Sequence, residues 1–226
     1  MKPQSIFNKK GITLIELLVA LVISAITIAG IYKIFISQTK VYNVQDQVVE
    51  VQQSVRGTME ILLRDLRMTG FDDDNANSKY TDNTPITVVN PIVTRGDNFI
   101  TVSYEYFDRT VGSLGEYQLH TVAYALDGSS SLVRTRTVTK PNKTSDTRSE
   151  SLLPNVTGLN FTYGVDENDD DVLDSWVSAA SVGTRRVIAV RVVLTARPNQ
   201  TNPDVQKMVS PRTLDSVVTM RNLCLR

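Results

Sequence analysis

The sequence contains a single cysteine, a single histidine and no excess of charge, and each scarcity excludes a class of protein. Cys224 has no second cysteine to pair with, so the fold must depend on core burial or on a metal rather than on an intrachain disulfide. The 24 basic residues are balanced by 24 acidic ones, which argues against a bulk electrostatic attraction to nucleic acid. His120 lies in a stretch that reads as a strand, which argues against a metal-binding or catalytic role.

Catalytic motifs are missing as well. The chain has many serines, but none stands in a G-x-S-x-G sequence or in a comparable nucleophile context. It also lacks a glycine-rich loop that could bind phosphate. Nothing in the sequence therefore supports an enzymatic function.

The most informative segment lies near the N-terminus, where a basic stretch ends at a glycine and a long apolar run begins. Residues 9–16 read K-K-G-I-T-L-I-E, and the apolar run continues to Ile36. Its length suits a membrane-spanning helix, which needs about 20 apolar residues. Glu16 is the only acidic residue in this run, and a charge inside a membrane costs of order 3 kcal/mol. Such a residue predicts a specific partner.

Two simpler interpretations of this segment explain less of it. A secretory signal peptide has an apolar region of about 7–15 residues, which is shorter than residues 12–36. A plain membrane anchor fits the length but leaves Glu16 unexplained. Beyond Ile36 no second apolar run suggests another membrane span.

A helical pattern of apolar residues continues past the membrane-length run. Eight residues recur at spacings of three and four, as on one face of an amphipathic helix: Val41, Val44, Val48, Val51, Val55, Met59, Leu62 and Leu66. Gly70 is a suitable C-cap. The sequence therefore predicts one helix over about residues 12–69, whose second half packs on a sheet.

After Asp72-Asp73-Asp74 the sequence changes to short runs of β-branched and aliphatic residues. Seven runs, bounded by turn residues, predict strands: 86–93, 99–107, 117–126, 132–138, 159–163, 187–196 and 217–223. The run 187–194 is the most continuous, which indicates a central strand.

The segment around Gly11 resembles the class III signal of type IV prepilins and type II secretion pseudopilins. A basic leader, a glycine, the T-L-I-E sequence and a long apolar run stand in the same register. In that family a prepilin peptidase cuts after the glycine and methylates the new N-terminus. The resemblance implies that Gly11 ends the leader and that Ile12 becomes the first mature residue. Glu16 falls on the family's glutamate, which would pair with the N-terminal amine of a neighbouring subunit.

Two later segments look like PilW-type minor pilins and the related J-type pseudopilins of type II secretion. They are residues 60–71, E-I-L-L-R-D-L-R-M-T-G-F, and residues 217–223, V-V-T-M-R-N-L. A major pilin fits less well, since residues 12–37 contain no proline and the chain lacks the disulfide of many major pilins. The resemblance implies an α+β, pilin-like fold, in which a long N-terminal helix packs on an antiparallel β-sheet domain.

These expectations divide the chain into three parts. Residues 1–11 form a prepilin leader peptide, residues 12–70 form the long helix with its transmembrane half at 12–36, and residues 71–226 form a β-rich globular domain. Lys2, Lys9 and Lys10 precede the apolar run without an acidic residue. This bias predicts a cytoplasmic N-terminus and an outward-facing C-terminal domain after a single pass. The resemblance implies that the membrane is the inner membrane, that the domain is periplasmic and that the subunit later enters the pilus.

Residues 166–174 form an acidic stretch with the spacing of cation ligands. Five residues stand at positions 1, 3, 5, 7 and 9 of a calcium loop, the fourth through its carbonyl: Asp166, Asn168, Asp170, Val172 and Asp174. The match to an EF-hand is incomplete, because Asp171 replaces the glycine at position 6, which has positive φ, and Val177 replaces the glutamate at position 12. The stretch therefore predicts either a calcium site or a solvated acidic turn.

The sequence as a whole predicts a minor pilin, a structural subunit that takes part in type IV pilus assembly or initiation. Its partners would be prepilin peptidase, other minor and major pilins, and inner-membrane lipid. Two alternatives stay open: a type II secretion pseudopilin of the pseudopilus tip, and a membrane-anchored calcium-dependent adhesin or binding domain. Cleavage after Gly11 and dependence of assembly on Glu16 would exclude the second alternative.

Overall fold

The computed structural model describes residues 11–71, 91–110, 115–140, 142–198 and 209–224. The predicted leader up to residue 10, the Asp72-Asp73-Asp74 cluster and the first part of the predicted strand 86–93 lie outside the described residues. The chain divides into two units, residues 1–46 and residues 47–226. One long helix begins in the first unit and ends in the second.

The described residues form two α-helices, one short 3-10 helix (Ala179–Ser181) and nine strands. Helix α1 is Leu14–Met68 and helix α2 is Arg221–Cys224. The strands are β1 (Ile92–Arg95), β2 (Ile100–Asp108), β3 (Glu116–Leu126), β4 (Leu132–Thr139), β5 (Ser145–Leu153), β6 (Val156–Asp166), β7 (Ser175–Val177), β8 (Arg186–Ala196) and β9 (Arg212–Thr219).

The strands form two sheets in which all neighbours are antiparallel. The five-stranded sheet has the order β1-β2-β3-β4-β5, so it follows the chain, and the four-stranded sheet has the order β7-β6-β8-β9. The predicted α+β class, with a long N-terminal helix and antiparallel strands, is confirmed. Strand β8, predicted to be central, lies between β6 and β9.

The C-terminal end of α1 depends on Gly70, as the sequence predicted. Gly70 has φ of +73°, which is unfavourable for residues with a Cβ. Its N–H donates to the Ser103 carbonyl at 3.0 Å, and an added Cβ would lie 2.6 Å from Leu223 Cδ2. The conformation and the lack of space together require glycine here.

The core of the second unit lies between α1 and the two sheets. The apolar stripe of α1 is buried from Val51 to Leu66, but Val41, at its start, is 52% exposed. The stripe packs with residues from both sheets: Ile100, Val102, Val122, Phe161, Tyr163, Val190, Val192 and Leu194. Both sheets therefore bury their inner faces against the same helix, which was predicted to pack on a single sheet.

The sequence misplaced one strand and missed two. The closing strand was predicted over 217–223, but β9 is Arg212–Thr219 and is followed by α2. Strand β9 alternates half-buried and exposed residues, so only its Val217-Val218 pair stood out as apolar. Strands β5 and β7 were missed because β5 is exposed and polar along most of its length and β7 has only three residues.

One buried carboxylate links α1 to the five-stranded sheet. Asp65 is only 2% exposed, and its Oδ2 accepts hydrogen bonds from Tyr124 Oη at 2.7 Å and from Arg134 Nε at 2.8 Å. Arg134 also donates to Glu150 at 2.8 Å. Burial, together with the Asp65 charge, raises the pKa of Tyr124, so its hydroxyl remains a donor. Removing one partner from such a buried pair costs about 3–5 kcal/mol.

His120 is a buried residue in the core of this sheet. Its ring stacks on Tyr104 at a centroid distance of 5.1 Å and lies 4.7 Å from the Tyr106 ring. Arg136 Nε donates to its Nδ1 at 3.0 Å, whereas its buried Nε2 has no hydrogen-bond partner among the described residues. Burial, followed by the Arg136 charge, lowers the pKa of His120 to about 4, so the ring is neutral at pH 7.

We predict that folding stability falls as the pH is lowered from about 6.5 to about 4. In this range the unfolded chain binds a proton at His120 that the folded chain does not bind, so stability decreases towards low pH. The loss attributable to His120 is of order 3 kcal/mol over the whole window. It can be measured by chemical unfolding of the detergent-solubilised chain at several pH values.

The variant His120→Gln supplies the control, because it should unfold without this component of the pH dependence. Since the chain has only one histidine, the ring-proton NMR titration of the native protein reports His120 alone. A midpoint near 6.5 in the folded chain would contradict the prediction.

Candidate functional sites at the helix start and in the acidic loop

The start of α1 is closed by a reciprocal pair of contacts between Thr13 and Glu16. The Glu16 N–H donates to Thr13 Oγ1 at 3.4 Å, while Glu16 Oε2 accepts from the Thr13 N–H at 3.1 Å and from its hydroxyl at 3.2 Å. The Thr13 carbonyl accepts the first helical bond, from Leu17. This arrangement is a capping box, for which Ser or Thr followed three residues later by Glu is the sequence signature. The signature is present in T-L-I-E but was not used in the sequence interpretation.

The capping box explains how Glu16 can stand at the start of an apolar helix. Its carboxylate lies at the helix N-terminus, where the positive end of the helix dipole and free N–H groups stabilise an anion. Both contacts use Oε2, and Oε1 has no hydrogen-bond partner among the described residues. Glu16 can therefore cap its own helix and still accept a bond from another group.

The Gly11–Ile12 peptide bond lies just before this cap, outside the helix. Gly11, Ile12 and Thr13 have no regular secondary structure and are exposed. No atom lies within 4 Å of a Cβ placed on Gly11, apart from its chain neighbours. The bond is therefore accessible to a protease in this conformation.

The part of α1 in the first unit suits a lipid environment. Within the residues that the structure describes, α1 is the one helix long and apolar enough to cross a membrane, with a mean hydropathy of 2.6 over its most apolar 18 residues and no burial there. Two of its hydroxyl groups are bonded locally, since Ser24 donates to the Ala20 carbonyl and Thr27 to the Ile23 carbonyl, both at 2.8 Å. Such bonds remove unpaired donors from an apolar medium.

The acidic loop connects β6 to β7 and curls around the side chain of Asp166. Asp166 Oδ1 accepts from the N–H groups of Asn168 and Asp170, both at 3.3 Å, and its Oδ2 accepts from the Asp171 N–H at 3.0 Å. Asp171 has φ of +64°, so an aspartate adopts the positive φ that the sixth loop position requires. Asp174 closes the loop by accepting from the Glu167 N–H at 2.7 Å.

Two arginines at the start of β8 neutralise much of this loop. Arg186 Nη2 donates to Asp166 Oδ2 at 2.7 Å and also contacts the Asp171 carboxylate, and Arg185 Nη1 donates to Glu167 Oε1 at 2.7 Å. Desolvation opposes ionisation of Asp166, but hydrogen bonds from Arg186 and the loop N–H groups hold its pKa below the usual range. Hydrogen bonding to Arg185 lowers the pKa of Glu167. The adjacent arginines are visible in the sequence, but their pairing with the loop was missed.

The predicted calcium ligands have suitable oxygen atoms but do not converge on one point. No group of three or more His, Cys, Asp or Glu side chains in the described part of the chain is placed to hold a metal ion. The Asp170 oxygens accept from the Val172 N–H at 2.9 Å and from Asn168 Nδ2 at 3.1 Å. Arg186 therefore balances charge in this conformation, and calcium binding at Asp166, Asn168, Asp170, Val172 and Asp174 stays a prediction.

Two known families match this chain, one near its N-terminus and one in its C-terminal half. The prokaryotic N-terminal methylation motif matches residues 6–32, which include Gly11, Ile12 and Glu16. The family of type IV pilus-assembly protein W matches residues 117–222, which extend from β3 into α2 and contain the acidic loop. The chain therefore resembles type IV prepilins of the PilW type in both of these segments. No curated protein matches the sequence.

The family matches support a function for the helix start but not for the acidic loop. The methylation motif spans the predicted cleavage position and the capping box, so processing by a prepilin peptidase is implied by the motif itself. The matched domains belong to pilins, which are structural proteins that associate with other pilins. The acidic loop lies inside the PilW-type match, but the match assigns no ligand to it.

Proposed function

We propose that this chain is a minor pilin that takes part in the assembly or initiation of a type IV pilus. The observation that carries the proposal is the continuity of α1, which begins within a prepilin methylation motif and ends in the core of a PilW-type domain. A prepilin peptidase removes residues 1–11 and methylates Ile12. The match to a type IV pilus-assembly family favours the pilus over the type II secretion pseudopilus.

The apolar part of α1 holds the subunit in the inner membrane before assembly. Lys2, Lys9 and Lys10 keep the N-terminus in the cytoplasm, so the β-sheet domain lies in the periplasm. After assembly the same helical segment packs with the helices of other minor and major pilins instead of lipid.

Glu16 sets the position of the subunit in the helical bundle. Before cleavage, its carboxylate is bound by its own Thr13. In the filament, its second oxygen accepts a bond from the N-terminal amine of a neighbouring subunit. An isolated charge in an apolar bundle is costly, whereas a pair is tolerated, so the pair specifies register more than it adds stability.

We also propose that calcium binds the acidic loop in competition with Arg186. The positive φ of Asp171 and the bonds that its neighbours make to Asp166 are features of a calcium-loop backbone. The oxygen donors of the loop are those that calcium prefers. When calcium binds, it replaces Arg186 in neutralising the carboxylates of Asp166 and Asp171.

The first prediction concerns processing. Intact-mass analysis of the protein from a host with prepilin peptidase should show loss of residues 1–11 and one added methyl group on Ile12. The variant Gly11→Val should remain uncleaved, because the enzyme family cuts after a glycine. Mature protein that begins at Met1, or within residues 25–30, would refute the proposed processing.

The second prediction concerns Glu16. Replacement Glu16→Ala should leave membrane insertion intact, since it removes a charge from lipid, but should lower incorporation into the pilus at least about tenfold. Glu16→Gln keeps an oxygen for the capping box and loses the charge, so it separates the two roles. The subunit can be quantified in sheared pili by immunoblot.

The matched control is Glu50→Ala, which removes an exposed carboxylate from the same helix and should leave incorporation unchanged. If Glu16→Ala pili contain the normal amount of this subunit, the proposed pairing is wrong. If Glu16→Gln incorporates normally while Glu16→Ala does not, the capping box rather than the charge is the requirement.

The third prediction concerns calcium. The full chain in detergent should bind calcium with a dissociation constant of about 10⁻⁴–10⁻³ M, and Asp170→Ala should abolish binding. Arg186→Gln should tighten binding about tenfold, because a competing positive charge is removed from the site. Calorimetry gives the affinities, and fluorescence of Trp176, the single tryptophan, reports the loop two residues after Asp174.

Arg191→Gln is the control for this series, since Arg191 lies on the same strand but pairs with Asp215 on β9. Its calcium affinity should equal that of the native chain. Absence of heat at millimolar calcium in both the native chain and Arg186→Gln would leave the loop as an acidic turn closed by arginines.

A further inference from the structure

A groove runs between the C-terminal part of α1 and the strand β9. One cavity of about 460 Å³ is lined by Gln52, Val55 and Arg56 on the helix and by residues 211–214 on the strand side. A second cavity of about 500 Å³ is lined by Arg67, Met68 and Phe71 and by Val217, Val218, Thr219 and Asn222. We call this boundary the helix–strand groove.

The two cavities mark the ends of one boundary. On α1, Val55 in the first cavity and Met68 in the second are 13 residues apart, which is about 20 Å at 1.5 Å per residue. On β9, Thr213 and Val218 are five residues apart, which is about 17 Å at 3.3 Å per residue. Because both segments advance together, helix and strand run side by side, and an extended segment of about six residues would span the groove.

The charges that line the groove are all positive. Arg56, Arg67 and Arg212 are the charged lining residues, and no carboxylate lines either cavity. Among the described residues, none of the three guanidinium groups has an ion-pair or hydrogen-bond partner, and the Nε of Arg212 is buried without one. The arginines Arg134 and Arg191, by contrast, each contact a carboxylate.

The groove also exposes a strand edge that has no partner among the described residues. In the four-stranded sheet, β9 has a neighbour on one side only, which is β8. Its outward side chain Val217 is 51% exposed. Free N–H and C=O groups on such an edge can pair with an added strand, which contributes affinity through main-chain hydrogen bonds.

We propose that the helix–strand groove receives an extended, acidic segment of a different pilin subunit, which pairs with β9 and places carboxylates on Arg56, Arg67 and Arg212. The proposal rests on the proposed function, since that role brings other pilins next to this domain. Among the described residues of a second copy, the acidic loop fits less well, because Arg185 and Arg186 already bind it. Asp146 and Glu150 on β5 likewise contact Arg148 and Arg134.

The test is site-specific photo-cross-linking of the full chain in cells that make the pilus. A photoreactive amino acid replaces Val217 in the groove or, as a control, Val93, which is also a valine on an edge strand and is 46% exposed. We expect the photoreactive residue at position 217 to cross-link to another pilin. Mass spectrometry should locate the cross-link in a peptide that contains at least two Asp or Glu residues. We expect no such product from Val93.

Charge reversal tests the recognition itself. Arg56→Glu and Arg212→Glu should each lower the yield of the Val217 cross-link about tenfold, because a carboxylate then faces a carboxylate. Arg148→Glu is the control, since Arg148 is exposed and lies outside the groove, and it should not change the yield. Reversing an acidic residue in the captured peptide to Arg should restore the product with Arg56→Glu or Arg212→Glu.

Several outcomes would overturn the proposal, and they differ from a failure of the proposed function. If the chain is cleaved after Gly11 and enters the pilus, but Val217 captures a second copy, a peptide without acidic residues or nothing, only the groove proposal fails. The same holds if Arg56→Glu and Arg212→Glu leave the cross-link unchanged. If Gly11 is not processed and the chain stays out of the pilus, both proposals fail.

Discussion

The domain depends on the burial of one helical stripe against two sheets, together with the Asp65 carboxylate, which links the helix to the five-stranded sheet. Each large apolar side chain of the stripe, such as Leu62 or Leu66, contributes about 1.5–3 kcal/mol when fully buried. Apolar burial has no direction, so it would permit the helix to shift along the sheets. The bonds from Asp65 to Tyr124 and Arg134 are directional, and an unpaired buried carboxylate is costly. They therefore select one register for the helix.

The same helix meets two different requirements along its length. In its apolar first part, the Ser24 and Thr27 hydroxyls and one oxygen of Glu16 are bonded within about one turn of the chain, as a lipid environment favours. In its second part, Asp65 is bonded by residues 59 and 69 positions away. The polar groups of the first part thus depend on local sequence, and Asp65 depends on the tertiary fold.

The chain has no net charge, but its charges are paired in some regions and not in others. The acidic loop is bound by Arg185 and Arg186 from β8, so much of its charge is balanced within the chain. The arginines of the helix–strand groove have no such partners among the described residues. The helix–strand groove is thus a basic surface, although the most conspicuous charged stretch in the sequence is acidic.

The sequence by itself determined the features that arise from local patterns. The period of apolar residues defined α1, the required positive φ placed Gly70 at its end, and runs of β-branched residues located β2, β3 and β8. The helix-start segment was recognised because its residues are contiguous. Strand β5 was missed because its residues are polar, and it exists through pairing with β4.

Only the tertiary structure decided which charges meet. Arg186 lies 20 residues from Asp166, and Arg134 lies 69 residues from Asp65, so neither pair can be inferred from spacing. The pairing of Thr13 with Glu16 could have been read from the capping-box signature, since it is local. Contacts between distant residues depend on strand register and helix placement, which are set by the collapse of the whole core.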